Sequence, residues 1–405
     1  MRATIIIPTY WGRPKGEPIR KNDAVYDHPT PLDEEGTLAR AIDSISVLKN
    51  SEFSVVVLAC STASDIASFV EEKVKGIVNE FRGGDFPILC LSHSFGEKLK
   101  RYLSSNGKGE FLELVSLTGY SNIRNFCLIV SELARSEIAV LFDDDEVYED
   151  PYYLDKVFED MNSSYDGKPI RALAGYYKQA DGGYLLSPGE WWMAEWPMVR
   201  TMNEAFKIIG EGDRLKRTPF VFGGNMCIHR DVYRKIAFDP NVRRGEDIDY
   251  LVNCKFYGID FILDRELSVR HLPPKSHTPA WQHFRENIYR FVYAREKLAH
   301  EEPGPGMRQV SISELEPYPA SCMGDDLEDL IFKTSVLMGL YYLEKGDQKG
   351  FNESMTNIFL ARHDAPPSFN PFKRYIEYKK RWEEFMNFLA GDENLSEEFV
   401  KEMEG

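Results

Sequence analysis

The spacing of apolar positions along this chain changes character twice. Over the first 150 residues, short apolar runs take turns with stretches of helical spacing. Ala3 to Ile7 predicts a first strand, ended by Pro8-Thr9-Tyr10. A connection rich in Pro, Gly and charge then runs to about Pro31, and connections that long are often functional or mobile. Leu38, Ala41, Ile42, Ile45 and Leu48 recur at helical spacing. Phe53 to Ala59 is a second buried strand, and Ile66, Phe69, Val70, Val74, Ile77, Val78 and Phe81 mark a helix face after it. Pro87 to Leu91 predicts a strand, Phe111 to Leu117 another, and Ile123, Cys127, Val130 and Ala134 a helix. Ile138 to Phe142 closes the series as a buried strand. Such alternation predicts an α/β fold, a mostly parallel sheet with helices on both faces.

The second half is mixed. Arg171 to Tyr177, Gly183 to Leu186, Pro219 to His229 (interrupted by Gly223-Gly224) and Phe261 to His271 read as strands. Ile248, Leu251, Val252 and Phe256 mark a helix that follows Gly245-Glu246-Asp247 and stops near Gly258. Trp281, Phe284, Ile288, Phe291 and Val292 mark a long helix to about His300. The run Glu301 to Gly306 is a clear break, and 325–390 read as helical. The expected division is 1–150, 151–300 and a helical extension over 301–405.

Composition narrows the classes. With 405 residues, 43% of them hydrophobic, the chain can bury a full core. A net charge of −16 argues against nucleic-acid binding. No apolar run approaches the roughly 18 residues of a membrane-spanning helix. The apolar part of the N-terminal stretch is too short for a signal peptide. Cys60, Cys90, Cys127, Cys227, Cys254 and Cys322 are widely spaced with no CxxC, as buried thiols in a reducing cytoplasm would be.

The chemistry concentrates where the fifth strand ends, in EIAVLFDDDEVYEDPYY (Glu137 to Tyr153). Asp143, Asp144, Asp145 and Glu146 follow the apolar run at once, and Asp150-Pro151 opens a helix. Ligands of open α/β sheets bind beyond the carboxyl ends of strands. Adjacent carboxylates repel, and Mg²⁺ or Mn²⁺ would hold them together through oxygen ligands. A solvated acidic turn is the plainer account. No GxGxxG follows the first strand and no GxxxxGK[ST] occurs, so the usual phosphate cradles are missing.

Four pieces then stand in order: PTY, DDD, GGN and GED, with a strand ending in His271 after them. This ordered set resembles the GT-A glycosyltransferases, family 2 in particular, over about residues 1–300. Its most specific part is GGNMCIHRDVYRKIAFDPNVRRGEDIDYLVNCKFYGIDFILDRELSVRH. The resemblance implies a nucleotide-diphosphate sugar donor, UDP- or GDP-linked, and a hydroxyl acceptor that is a small molecule, a glycan or lipid-linked. By position, Pro8, Thr9, Tyr10, Arg124, Asn125, Asp143 and Asp144 would border the nucleotide and sugar. Asp145 and His271 would hold Mg²⁺ or Mn²⁺. Gly223, Gly224 and Glu246 would face the acceptor, and Asp247 would be the general base of an inverting transfer. A metal would neutralise the leaving diphosphate. The second strand ends in Ala59-Cys60-Ser61-Thr62, where the family often has an acidic base contact, and Asp65 is offset from it.

Other accounts stay open at this level. A retaining transferase with His271 on the metal fits the same order. Asp143-x-Asp145 also matches haloacid-dehalogenase-like phosphatases, with Asp143 as nucleophile, although that motif normally follows a first strand. A sugar nucleotidyltransferase would need a better glycine loop than Gly12 to Gly16. An inactive glycan-binding scaffold would be expected to have lost Asp145 and Asp247. Glu246 and Asp247 also suit a helix N-terminus, Gly223-Gly224 a bulge, and His271 and His277 ordinary surface or capped positions. Trp191, Trp192 and Trp196 suit sugar stacking, with core packing preferred. The C-terminal helices would cover the acceptor cleft or join two copies.

Overall fold

The computed structural model describes residues 1–18, 20, 22–274 and 278–404. In chain order its elements are β1 (Ala3–Gly12), β2 (Thr30–Pro31), α1 (Leu38–Ile45), β3 (Phe53–Ser61), α2 (Ala67–Asn79), β4 (Ile88–Leu91), α3 (His93–Ser105), α4 (Tyr120–Leu133), β5 (Ile138–Leu141), β6 (Glu146–Val147), α5 (Tyr153–Met161), β7 (Ser164–Tyr165), β8 (Lys168–Pro169) and β9 (Ala172–Lys178). There follow α6 (Met198–Gly210), β10 (Leu215–Arg217), β11 (Met226–His229), α7 (Arg230–Tyr233), α8 (Glu246–Phe256), β12 (Ile262–His271), α9 (Ala280–Ala299), α10 (Leu327–Glu344), α11 (Gln348–His363), α12 (Pro371–Gly391) and α13 (Glu393–Glu404).

The main sheet runs β10-β12-β9-β11-β5-β1-β3-β4, with β2 added to β1 and β6 to β12. Strands β4, β3, β1 and β5 are parallel. β11 lies antiparallel between β5 and β9. β9 and β12 are parallel again. The chain therefore adopts the expected α/β class: a mixed but mostly parallel sheet between helices, followed by a helical C-terminal region.

Alternation along β1 assigns the two faces. Ile5, Ile7 and Trp11 pack with α1, α2 and α5, whereas Ile6 and Tyr10 pack with α3, α4, α8, α9 and the C-terminal helices. Helix α4 is buried along almost its whole length, from Ser121 to Leu133 apart from Asn122, because sheet and C-terminal helices cover opposite sides of it.

Several expectations need correction. β1 does not end at Ile7 but continues to Gly12. Ile6 O accepts from Phe142 N while Trp11 O accepts from Thr62 N, so even-numbered backbone groups turn toward β5. β5 stops at Leu141, and the N–H that Pro8 lacks falls where no strand needs it. Phe111 to Leu117 is not a strand; Gly109–Leu114 is a 3₁₀ helix. Gly183 to Leu186 is irregular, and only Met226–His229 of the Pro219 stretch is strand. Phe69 lies off the Val70-Val74-Val78 stripe of α2 and is 59% exposed. Helices α3 and α6 were not among the expected elements. The Tyr10–Pro31 connection is tied down: Arg13 binds Asp23 (2.8 Å) and Asp65 (2.9 Å), Arg20 binds Asp65 (2.7 Å), and Ala24 N reaches Thr62 O (2.7 Å).

Candidate active site

The acidic run leaves β5 at the carboxyl ends of the parallel strands and is held residue by residue. Asp143 receives Arg124 through both oxygens, at 2.8 and 3.1 Å. Arg124 comes from α4, is 3% exposed, and also reaches Glu246 at 3.3 Å. One buried guanidinium therefore joins the end of β5 to the start of α8. The Thr9 hydroxyl donates to Asp144, and Trp11 Nε1 donates to Thr9 at 2.9 Å. Asp145 stands 3.4 Å from His271 Nε2. Strand β6 fixes that pair, since Glu146 is in register with His271 and Leu272 N donates to Asp145 O (2.8 Å). The His271 ring stacks on Tyr177 at 4.8 Å.

Gly223 and Gly224 lie in the turn before β11 and are needed for space. A Cβ on Gly223 would sit 2.8 Å from Arg124 Nη2. On Gly224 it would overlap Glu146 Oε1 and lie 2.7 Å from Asp143 Cγ. Gly245 precedes α8 with φ +73°, a left-handed conformation that glycine adopts without strain.

Crowded carboxylates raise one another's proton affinity. Burial and the Asp145 charge push Asp144 well above the usual carboxylate range, against the Thr9 hydrogen bond. Burial, then Asp143 and Asp145, do the same to Glu146. Burial and Asp247 raise Glu246 to about 7, with Arg124 opposing. Asp247 itself accepts Ile248 N at 2.8 Å through Oδ1.

The Asp145–His271 pair suits an octahedral Mg²⁺ or Mn²⁺. Cis ligands at about 2.1 Å stand about 3.0 Å apart, close to the observed spacing. Among the described residues no group of three or more His, Cys, Asp or Glu side chains converges on a metal position. Phosphate and water oxygens would complete the shell, as is usual for such ions.

No family model matches the chain. No curated protein matches it either. Among solved structures, a mannosyltransferase from Pyrobaculum calidifontis in complex with GDP-Man and Mn²⁺ is similar, with a TM-score of 0.46 and 13% identity over 97% of this chain and 87% of that one. A mycobacterial protein gives a TM-score of 0.39 and 17% identity, over 71% and 74%. GalNAc-T7 with UDP, GalNAc and Mn²⁺ gives 0.34 and 12%, over 90% and 58%.

Most of the expected residues come together: Thr9, Arg124, Asp143, Asp144, Asp145, Gly223, Gly224, Glu246, Asp247 and His271. Asn125 does not. It is fully buried, exchanges two 2.8 Å hydrogen bonds with the Phe238 backbone and donates to Tyr378 at 3.1 Å, so its amide protons are both engaged and burial closes it off from a nucleotide. Pro8 is buried within β1. Tyr10 sits in an aromatic trio with Tyr26 (4.5 Å) and Tyr120 (5.3 Å), its hydroxyl buried without a partner among the described residues. Asp65 is spent on Arg13 and Arg20. Trp192 and Trp196 are core, 5% and 3% exposed. His277 lies outside the described residues. Sequence reasoning names Glu146 in the acidic run without giving it a role, and does not single out Tyr177, Tyr26 or His28. The tight Gly224 contact explains Glu146, but no motif marks the others. His28 shares its field with Asp27, Asp145, His283 and His271, and burial lowers its proton affinity.

Proposed function

We propose that this chain is a metal-dependent glycosyltransferase that moves a sugar from a UDP- or GDP-linked donor to an acceptor hydroxyl, with inversion. The observation that carries the reading is the Arg124 bridge. It brings the aspartates after β5 within one buried network of the Gly245-Glu246-Asp247 corner. Asp145 and His271 would hold Mg²⁺ or Mn²⁺, which when bound neutralises the departing diphosphate. Asp144, with Thr9, would face ribose or sugar. Asp247 has one oxygen without a hydrogen-bond partner among the described residues, available to take the acceptor proton. Glu246, near half protonation at neutral pH, can donate to or accept from the same hydroxyl. Carboxylates along the site favour the positive charge that develops on the donor sugar. The phosphatase account is disfavoured, because Asp143 is held through both oxygens by Arg124 and is a poor nucleophile.

Among the described residues no helix is long and apolar enough to cross a membrane. The six cysteines are free and buried, which supports the proposal of a reducing, cytoplasmic setting. Contact between two copies through the C-terminal helices is proposed on the exposed Phe332, Leu340, Leu343 and Phe359, and sedimentation of a monomer would remove it.

The deciding experiment is calorimetric titration with UDP and GDP, first with Mn²⁺ and then with EDTA. One nucleotide should bind only with metal, and Asp145→Ala should lose that binding. Asp247→Asn should keep it while turnover with the matching sugar donor falls about 10²- to 10⁴-fold. Absence of binding by either nucleotide to folded protein with metal present would end the reading.

A further inference from the structure

Helix α9 carries three arginines at a spacing of five, and two of them are locked. Arg285 binds Glu353 (2.7 Å) and Asn357 (2.8 Å), and Arg295 binds Glu328 (2.9 Å). Around the candidate site, Arg124 holds Asp143 and Glu246, and Arg244 holds Asp27 at 3.1 Å. Arg290, between the locked pair, has no hydrogen bond and no ion pair to any described residue. It is partly buried, with its guanidinium 5.0 Å from the Phe291 ring centre and 5.8 Å from that of Tyr318. It also lies against the start of α8, where a Cβ on Gly245 would overlap Arg290 Nε. Glu246 and Asp247 act on it through space without coming within ion-pair distance.

A guanidinium stays charged at any ordinary pH. Taken partly out of water, its donors have no acceptor among the described residues; the nearby carboxylates and rings offset its charge but leave those donors unused. Its planar fork matches the paired oxygens of a carboxylate or phosphate. The aromatic faces beside it stabilise the cation without using its donors. Glu246 and Asp247 would repel an anion approaching α8, so an anionic substrate would need a dedicated cation at this corner. We propose that Arg290 binds an anionic group on the acceptor, a carboxylate or phosphate monoester, and so seats the acceptor hydroxyl beside Asp247. The inference rests on the glycosyltransferase reading, and it narrows the acceptor to small hydroxy acids or phosphorylated hydroxy compounds.

The test is calorimetry on the full chain with glycerol 3-phosphate, lactate and glycerol, without donor. UDP and GDP with Mn²⁺ are titrated in parallel. Wild type should bind at least one of the two anions and not glycerol, and the tighter one tells phosphate from carboxylate. Arg290→Gln should weaken that binding about a hundredfold, Arg290→Lys should fall between, and both should bind nucleotide as wild type does. The last result also shows that the variants are folded. If wild type binds neither anion, or Arg290→Gln binds it unchanged, Arg290 only offsets the acidic turn and the proposal fails. If Arg290→Gln instead loses nucleotide, the arginine serves the donor and the proposal fails too. Anion binding through Arg290 in a chain that binds no nucleotide would sink the glycosyltransferase reading and leave the anion site standing.

Discussion

At the scale of single residues, Glu246 is the group whose environment has the clearest consequence. Its folded value of about 7 lies above the ordinary 4.5. Below 4.5, folded and unfolded chains both hold the proton and the shift has no effect on stability. Between 4.5 and 7 the unfolded chain gives up a proton that the folded chain keeps. The native state therefore loses ground as pH rises through that window, by on the order of 2–3 kcal/mol. In EDTA, thermal melts from pH 5 to pH 8 should show wild type falling more steeply than Glu246→Gln. Equal slopes would mean that Glu246 is already ionised in the folded chain, held so by Arg124. The same reasoning marks what a motif conveys and what it omits. The aspartates, the glycine pair and Gly-Glu-Asp were visible in the sequence because short-range order implies short-range chemistry. That Arg124 would also be claimed by Glu246, or Asn125 by the Phe238 backbone, depends on contacts across more than a hundred residues. No spacing along the chain encodes those contacts.

Elements were legible in proportion to their period. The parallel strands and helices α1, α2, α8 and α9 show full apolar stripes, and they form. Helix α6 buries Thr201, Ala205, Phe206 and Ile209, a stripe with only two large apolar side chains and therefore a weak signal. In α3 only Gly96, Leu99 and Leu103 are buried, too narrow a stripe to stand out. The weak alternation of Phe111 to Leu117 predicts a strand, yet Phe111 and Leu114 are buried one 3₁₀ turn apart. The turn before β11 offers the sharpest test at this scale. Gly224 has an ordinary φ, so only space demands glycine there. Gly224→Ala must push Glu146 or Asp143 aside and should cost about 1–3 kcal/mol. It should also weaken metal-dependent nucleotide binding, because the acidic run moves with the turn. Urea unfolding and the Mn²⁺-dependent titration read the two effects. An alanine variant with wild-type values in both would show that the turn yields freely.

For the whole molecule, the question is whether the last hundred residues are an appendage. Their contacts make them a layer of the core. Trp382 of α12 is fully buried and donates to Tyr233 O at 2.8 Å. Tyr375 donates to Ala237 O at 3.2 Å, and Tyr378 meets Asn125. Beneath Tyr375, at 4.1 Å from its ring centre, Lys297 is held between Asp239 (2.9 Å) and Asp249 (2.8 Å), with Tyr293 also on Asp239. Phe385 packs on Phe111, and Phe399 on Phe95. These contacts join α12 and α13 to both halves of the sheet domain. We propose that 301–405 are part of one folding unit, since without α12 the buried α4 would present an apolar face to water and the Lys297 cluster would lose its cover. Removal of residues 371–405 should leave a chain without a cooperative urea transition. Because a truncated chain can fail for other reasons, Trp382→Ala in the full chain is the companion test. It should lower stability by about 3–5 kcal/mol while leaving the midpoint shared by tryptophan fluorescence and circular dichroism, as a single unit requires. A truncated chain that unfolds cooperatively at the wild-type midpoint, or two separate transitions in the Trp382→Ala variant, would instead make the C-terminal helices a domain of their own.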